Sequence, residues 1–144
     1  MWSAASVLVC ALSVLGRSER SMPQIELIEV VPPEASAGVE AFVRRGTGTI
    51  YLITSSPVFR DAADAPTACG ESVAVKKLAS ILAHEEWHVR HGPDEKGAYQ
   101  SQLLTLLRLG VRPDTAVYRA VQTAMLTVLG AQKRNRPELV VAGR

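Results

Sequence analysis

The sequence predicts an α+β domain in which a small antiparallel sheet is followed by three helices. Two observations carry that expectation. Short runs rich in β-branched and apolar residues end by Thr54, and beyond about Thr67 apolar residues recur at helical spacing to the end of the chain. With 144 residues there is room for one domain and one catalytic module.

Gln24 to Val31 (QIELIEVV) reads as a first strand, stopped by Pro32-Pro33. Val39 to Val43 and Thr49 to Thr54 are two further strands, joined through Arg44-Arg45-Gly46-Thr47-Gly48, whose glycines suit a tight turn. Pro57, Pro66 and the polar residues between them mark a loop. A first helix then starts between Thr67 and Ser72 and runs to His91, where Gly92-Pro93 breaks it, because the residue before a proline is pushed out of the α region. A second helix spans Asp94 to Leu109 and ends at Gly110 and Pro113. The third covers Asp114 to Lys133, with Val117, Val121, Ala124, Met125 and Val128 at helical spacing. The expected organisation is a leader over residues 1–21, a domain over 22–134 and a polar tail over 135–144.

Trp2 to Gly16 is an uncharged apolar run followed by Arg17-Ser18-Glu19-Arg20, the pattern of a secretory h-region. It is short for a membrane span and lacks a basic segment before it. Export to the periplasm or the exterior is the expectation, and the alternative is an N-terminal helix packed on the core of a cytoplasmic protein. Cys10 would depart with a cleaved leader, leaving Cys69 as a single thiol with no internal disulfide. Lysine and arginine total 16 against 14 acidic residues, so charge gives no reason to expect a nucleic-acid or membrane-surface partner.

The chemistry is concentrated in His84-Glu85-Glu86-Trp87-His88. Residues four apart on a helix lie one turn above each other, so the imidazoles of His84 and His88 can reach one ion at bond lengths of about 2.1 Å. Glu85 projects away from both, free to take a proton from a water whose pKa zinc lowers to about 7. All three histidines of the chain lie between 84 and 91. A catalytic zinc takes three protein ligands and leaves a position open, so a third donor is needed. His91 is seven residues from His84, a rise of about 10 Å along a straight helix, too far for one ion. It reads instead as a neighbour of the site or a cation at the helix C-terminus. The turn forced by Gly92-Pro93 can fold Glu95 back toward the histidines, which makes Glu95 the favoured third ligand. Asp94 is its rival and Cys69 a more distant candidate.

The pentapeptide resembles the signature of the zincin superfamily of zinc metallopeptidases, with His84, Glu85 and His88 at its fixed positions. The longer stretch HEEWHVRHGPDEKGAY is similar to the gluzincin pattern, in which a glutamate on a following helix completes the site, and Glu95 maps onto that place. Asp94 falls on the last ligand position of the metzincin pattern, but His91 stands where that pattern has glycine and no Met-turn follows. An upstream cysteine ligand occurs in peptide deformylases, whose other motifs are not found here. The resemblance implies a zincin-like fold with the metal on the first helix, a Zn2+ cofactor, Glu85 as general base and a peptide or protein substrate. It also implies an extended peptide paired with an edge strand, for which Thr49 to Thr54 is the candidate. Tyr99, one turn after Glu95, would place a phenol near the metal, either as an oxyanion donor or simply packed between helices. Trp87 is expected to anchor the helix on the sheet or the third helix. The competing expectation is a non-catalytic zincin-like domain that binds metal or a partner; only three good donors are apparent, whereas a structural zinc is usually closed by four.

Overall fold

The computed structural model describes residues 1–44, 46–65 and 68–134. The chain is α+β, but among the described residues there are five α-helices rather than three, and the sheet is mixed rather than antiparallel.

Helix α1 (Ala4–Leu15) opens on Ser3, whose side chain accepts from the Ser6 amide, and closes at Gly16. Its Val7, Leu8, Cys10, Ala11 and Leu12 are buried in the main core. In the intact chain, therefore, the apolar N-terminal run is a packed core helix. The expectation of an unpaired Cys69 does not hold there: Cys10 and Cys69, with Cα atoms 5.7 Å apart, form a disulfide that ties α1 to a 3-10 turn, Cys69–Glu71. Cys69 would be unpaired only if Cys10 departed with a leader; burial of α1 brings the two sulfurs together.

Strands β1 (Ile25–Ile28), β2 (Ala41–Val43) and β3 (Ile50–Ile53) pair in the order β1-β3-β2. The β2–β3 hairpin is antiparallel, with Ala41 opposite Leu52 and Val43 opposite Ile50. Strand β1 pairs parallel to the other side of β3, with Ile25 opposite Ile50 and Ile28 opposite Ile53. Alternation and composition fix neither neighbour nor direction, which is why the parallel pair was not foreseen. The apolar run of β3 has its reason in this order: the central strand is buried along its whole length, as strands covered on both faces are.

The segment expected to be a loop contains α2 (Pro57–Asp64). Ser56 caps it by accepting from the Phe59 amide, and Pro57 occupies the first helical position, where its missing N–H costs nothing. Val58, Phe59 and Ala62 point into the core. Helix α3 (Val73–His91) is capped by Ser72 and runs through the middle of the molecule, touching α1, α2, β2, β3 and α4. Helices α4 (Glu95–Arg108) and α5 (Ala116–Arg134) follow, the latter with Thr115 accepting from the Tyr118 amide. Among the described residues no helix is long and apolar enough to cross a membrane. The expected tail, 135–144, lies outside the described residues.

Candidate metal centre

The site is made by the return of the chain at Gly92. This residue has φ 79° and ψ −156°, a backbone region essentially restricted to glycine, and its N–H bonds the His88 carbonyl at 2.9 Å. Asp94 then caps α4, accepting from the Gly97 amide at 3.1 Å, and α4 runs back along α3. The two helices approach closely at Gly97: a Cβ there would lie 2.5 Å from the Trp87 ring and 2.4 Å from an Asp94 carboxylate oxygen. Trp87 thus packs α3 against the first turn of α4, and its ring lies tilted against His91 with centroids 4.0 Å apart.

This return brings Glu95 onto the two motif histidines. Glu95 Oε1 contacts His88 Nε2 and lies 3.3 Å from His84 Nε2. One donor atom from each of His84, His88 and Glu95 falls within 4.8 Å of the others, and among the described residues no other such group exists. Two imidazole nitrogens and a carboxylate oxygen are a donor set that zinc accepts, and the 3.3 Å between His84 Nε2 and Glu95 Oε1 is close to the edge of about 3.4 Å expected for ligands at about 2.1 Å around a tetrahedral ion, so the three residues could hold one. Asp94 is engaged as the helix cap, His91 is exposed at the end of α3, and Cys69 is in the disulfide; none of these three joins the group.

The outer nitrogens of both histidines are engaged. His88 Nδ1 donates to the Gly92 carbonyl at 2.9 Å, so the glycine that turns the chain also orients the ring. His84 Nδ1 lies 2.9 Å from Gln102 Oε1, a buried contact. Gln102 was not among the expected site residues, although a signal was available: Glu95, Tyr99 and Gln102 are spaced four and three apart and share one face of α4. Tyr99 meets the His84 ring edge-on with centroids 4.5 Å apart.

The electrostatics follow from these contacts. The hydrogen bonds from His84 and His88 hold the Glu95 carboxyl down at about 2, while the bond to Glu95 pushes His88 up to about 9. Glu85 is buried, and that burial raises its pKa, partly offset by the charges of His84 and His88. Among the described residues it has no hydrogen-bond or ion-pair partner, unlike its neighbour Glu86, which is turned to the back of α3 and pairs with Arg17 and Arg90. Burial and the nearby Glu95 and Glu85 charges raise Tyr99.

Two clefts meet at this point. One of about 870 Å³ is walled by Phe42, Val43 and Val89 and reaches His88 and Glu95. The other, about 250 Å³, extends toward Lys77, Ile81 and Val121. His84, Glu85 and Tyr99 line both. Comparison with known proteins gave no match: no family model, no curated protein and no solved structure aligns with the chain. The strand beside both clefts is β2, the edge of the sheet; β3, the strand expected to offer a free edge, is central and has its backbone paired on both sides.

Proposed function

We propose that the chain is a small zincin-like, gluzincin-like zinc hydrolase that cleaves peptide bonds. The observation that carries this reading is the convergence of His84, His88 and Glu95 beside a buried carboxylate, Glu85, that has no structural partner among the described residues. A zinc ion held by those three residues would supply a Lewis acid for the scissile carbonyl and a water of pKa about 7. Glu85, at the junction of the two clefts, takes a proton from the attacking water and passes it to the departing amine nitrogen. Its raised pKa suits that exchange, since a base poised nearer neutrality both accepts and returns a proton readily. Tyr99 lines the same junction and offers a hydroxyl to the oxygen that gains charge. The backbone of β2, which lines the larger cleft, receives an extended substrate as an added strand. We also place the chain, with α1 retained, in an oxidising compartment, where a Cys10–Cys69 disulfide persists.

The test is zinc analysis and hydrolysis of an unfolded protein substrate by wild type, His84→Ala and Glu85→Gln. Glu85→Gln retains stoichiometric zinc and loses activity by at least about 100-fold, the scale of a lost general base, and His84→Ala loses both. A zinc-loaded Glu85→Gln that hydrolyses normally would point to the non-catalytic metal-binding alternative, and wild type without stoichiometric zinc would end the proposal.

A further inference from the structure

Behind His84 lies a buried polar chain that no part of the proposed reaction uses. Ser80 is fully buried, and Gln102 is 5% exposed. Ser80 Oγ is 2.6 Å from the Lys77 carbonyl, Gln102 Nε2 is 3.4 Å from Ser80 Oγ, and Gln102 Oε1 is 2.9 Å from His84 Nδ1. The direction of every bond in this chain is determined from its far end. A carbonyl can only accept, so the Ser80 hydroxyl gives its single proton to Lys77. Its oxygen is then left to accept, and the group facing it must be the Gln102 NH2. With the amide fixed that way round, Oε1 faces His84, and Nδ1 must carry a proton to donate to it. Turning the amide over would set Oε1 against an oxygen with no proton to give, and would leave a buried acceptor unpaired.

We propose that Gln102 is a positioning residue for the metal centre: held by Ser80, it keeps the His84 proton on Nδ1 and so leaves Nε2 as the nitrogen directed at Glu95. This rests on the metal-site reading above for its use, but the placement of the proton does not. His88 is set by a backbone carbonyl, which no side-chain change can remove; His84 depends on two side chains from two different helices. The docking of α4 on α3 therefore delivers a ligand, Glu95, and orients another, His84, through residues two turns apart on one face of α4. Groups that orient a metal-bound histidine through its outer nitrogen are worth about 10–100-fold in metal affinity.

The experiment uses the full chain as wild type, Gln102→Leu, Gln102→Glu and Ser80→Ala. Nitrogen-15 NMR of the metal-free protein reads which ring nitrogen of His84 is protonated, and competition with a chelator reads zinc affinity. In wild type Nδ1 carries a slowly exchanging proton in either charge state of the ring. Gln102→Leu loses about 10–100-fold in zinc affinity and the protection of that proton. Gln102→Glu keeps an acceptor before Nδ1 and recovers both in part, since its second oxygen is satisfied only if Ser80 turns its proton away from Lys77. Ser80→Ala weakens both by a smaller factor with the fold unchanged by circular dichroism, and it carries the test should Gln102→Leu not fold. An unprotonated Nδ1 in wild type, or Gln102→Leu and Ser80→Ala both binding zinc as wild type does, would overturn the proposal. A protected Nδ1 proton in a chain that binds no zinc would uphold the orientation by Gln102 and remove the proposed function alone.

Discussion

His84 and His88 stand on α3, whose other faces are buried in a core of, among the described residues, sixteen drawn from α1, α2, α3, the sheet and Met22 before it. Glu95 and Gln102 stand on α4, which is backed by four: Leu103, Leu106, Val111 and Val121. Helix α5 buries a single residue of its nineteen and makes its principal contacts with α4 alone. The candidate metal centre thus joins a heavily supported wall to a lightly supported one. Segments with few buried apolar contacts open at lower free energy than the global transition. In such a molecule an ion bridging the walls stabilises the weaker side in particular, because it binds only when α4 is docked.

The sharpest way to break this contrast is to cut one core residue from each side. Leu82 and Leu106 are both fully buried, and truncation to alanine removes about 2–5 kcal/mol in either place. Leu82→Ala lowers the midpoint of the whole unfolding transition. Leu106→Ala is expected to speed hydrogen exchange across α4 and α5 while α3 amides stay protected, and to weaken zinc binding. Equal exchange in all helices of Leu106→Ala would refute the division into two walls. Reducing the Cys10–Cys69 disulfide, which spans 59 positions, costs about 2–4 kcal/mol on the supported side and should leave zinc affinity unchanged in chelator competition. Gly97→Ala acts at the seam: the added methyl meets the rigid Trp87 ring, an overpacking of about 1–3 kcal/mol, and chelator competition should register weaker zinc binding as α4 is displaced.

The smallest effect is on pH dependence, and it separates the metal-free chain from the loaded one by sign. Without metal, pairing raises His88 from 6.5 to about 9, so its stabilisation is complete below pH 6.5 and is lost as pH rises through about 9. Glu95, lowered from 4.5 to about 2, contributes above pH 4.5 and loses its contribution as pH falls through about 2. The metal-free chain is therefore most favoured by this pair between about pH 4.5 and 6.5, with stability declining above that window. Zinc needs the imidazoles unprotonated, so with saturating zinc the stability gained on loading grows across the same rise. Urea midpoints from pH 6 to 9 should fall with chelator but rise and then level off with zinc; parallel declines would argue against a metal held by His88.

The part of the site that was legible in the sequence is the part encoded locally. His84, Glu85 and His88 follow from helical spacing, and the reach of Glu95 follows from Gly92-Pro93, because one broken helix limits where the next can go. Gln102 and Ser80 were not read, since their partnership is between helices and each alone looks like an ordinary polar residue. Helix α2 is hidden in the sequence because proline marks both helix breaks and helix starts; Pro57 is favourable at the first helical position, and Ser56 before it is the clue. The place of β3 in the middle of the sheet depends on β1 joining its far side, a pairing that separate strand signals do not contain.

The Cys10–Cys69 bond closes a ring that holds the second half of α1, the three strands and α2, and leaves His84, Glu85, His88, Glu95 and Gln102 outside it. Chains are made, and threaded through membranes, from the amino end. Every segment of the ring is delivered before His84, the first of the proposed ligands. The scaffold that the disulfide closes and the proposed ligand set are thus separate stretches of the chain, the first complete before the second begins.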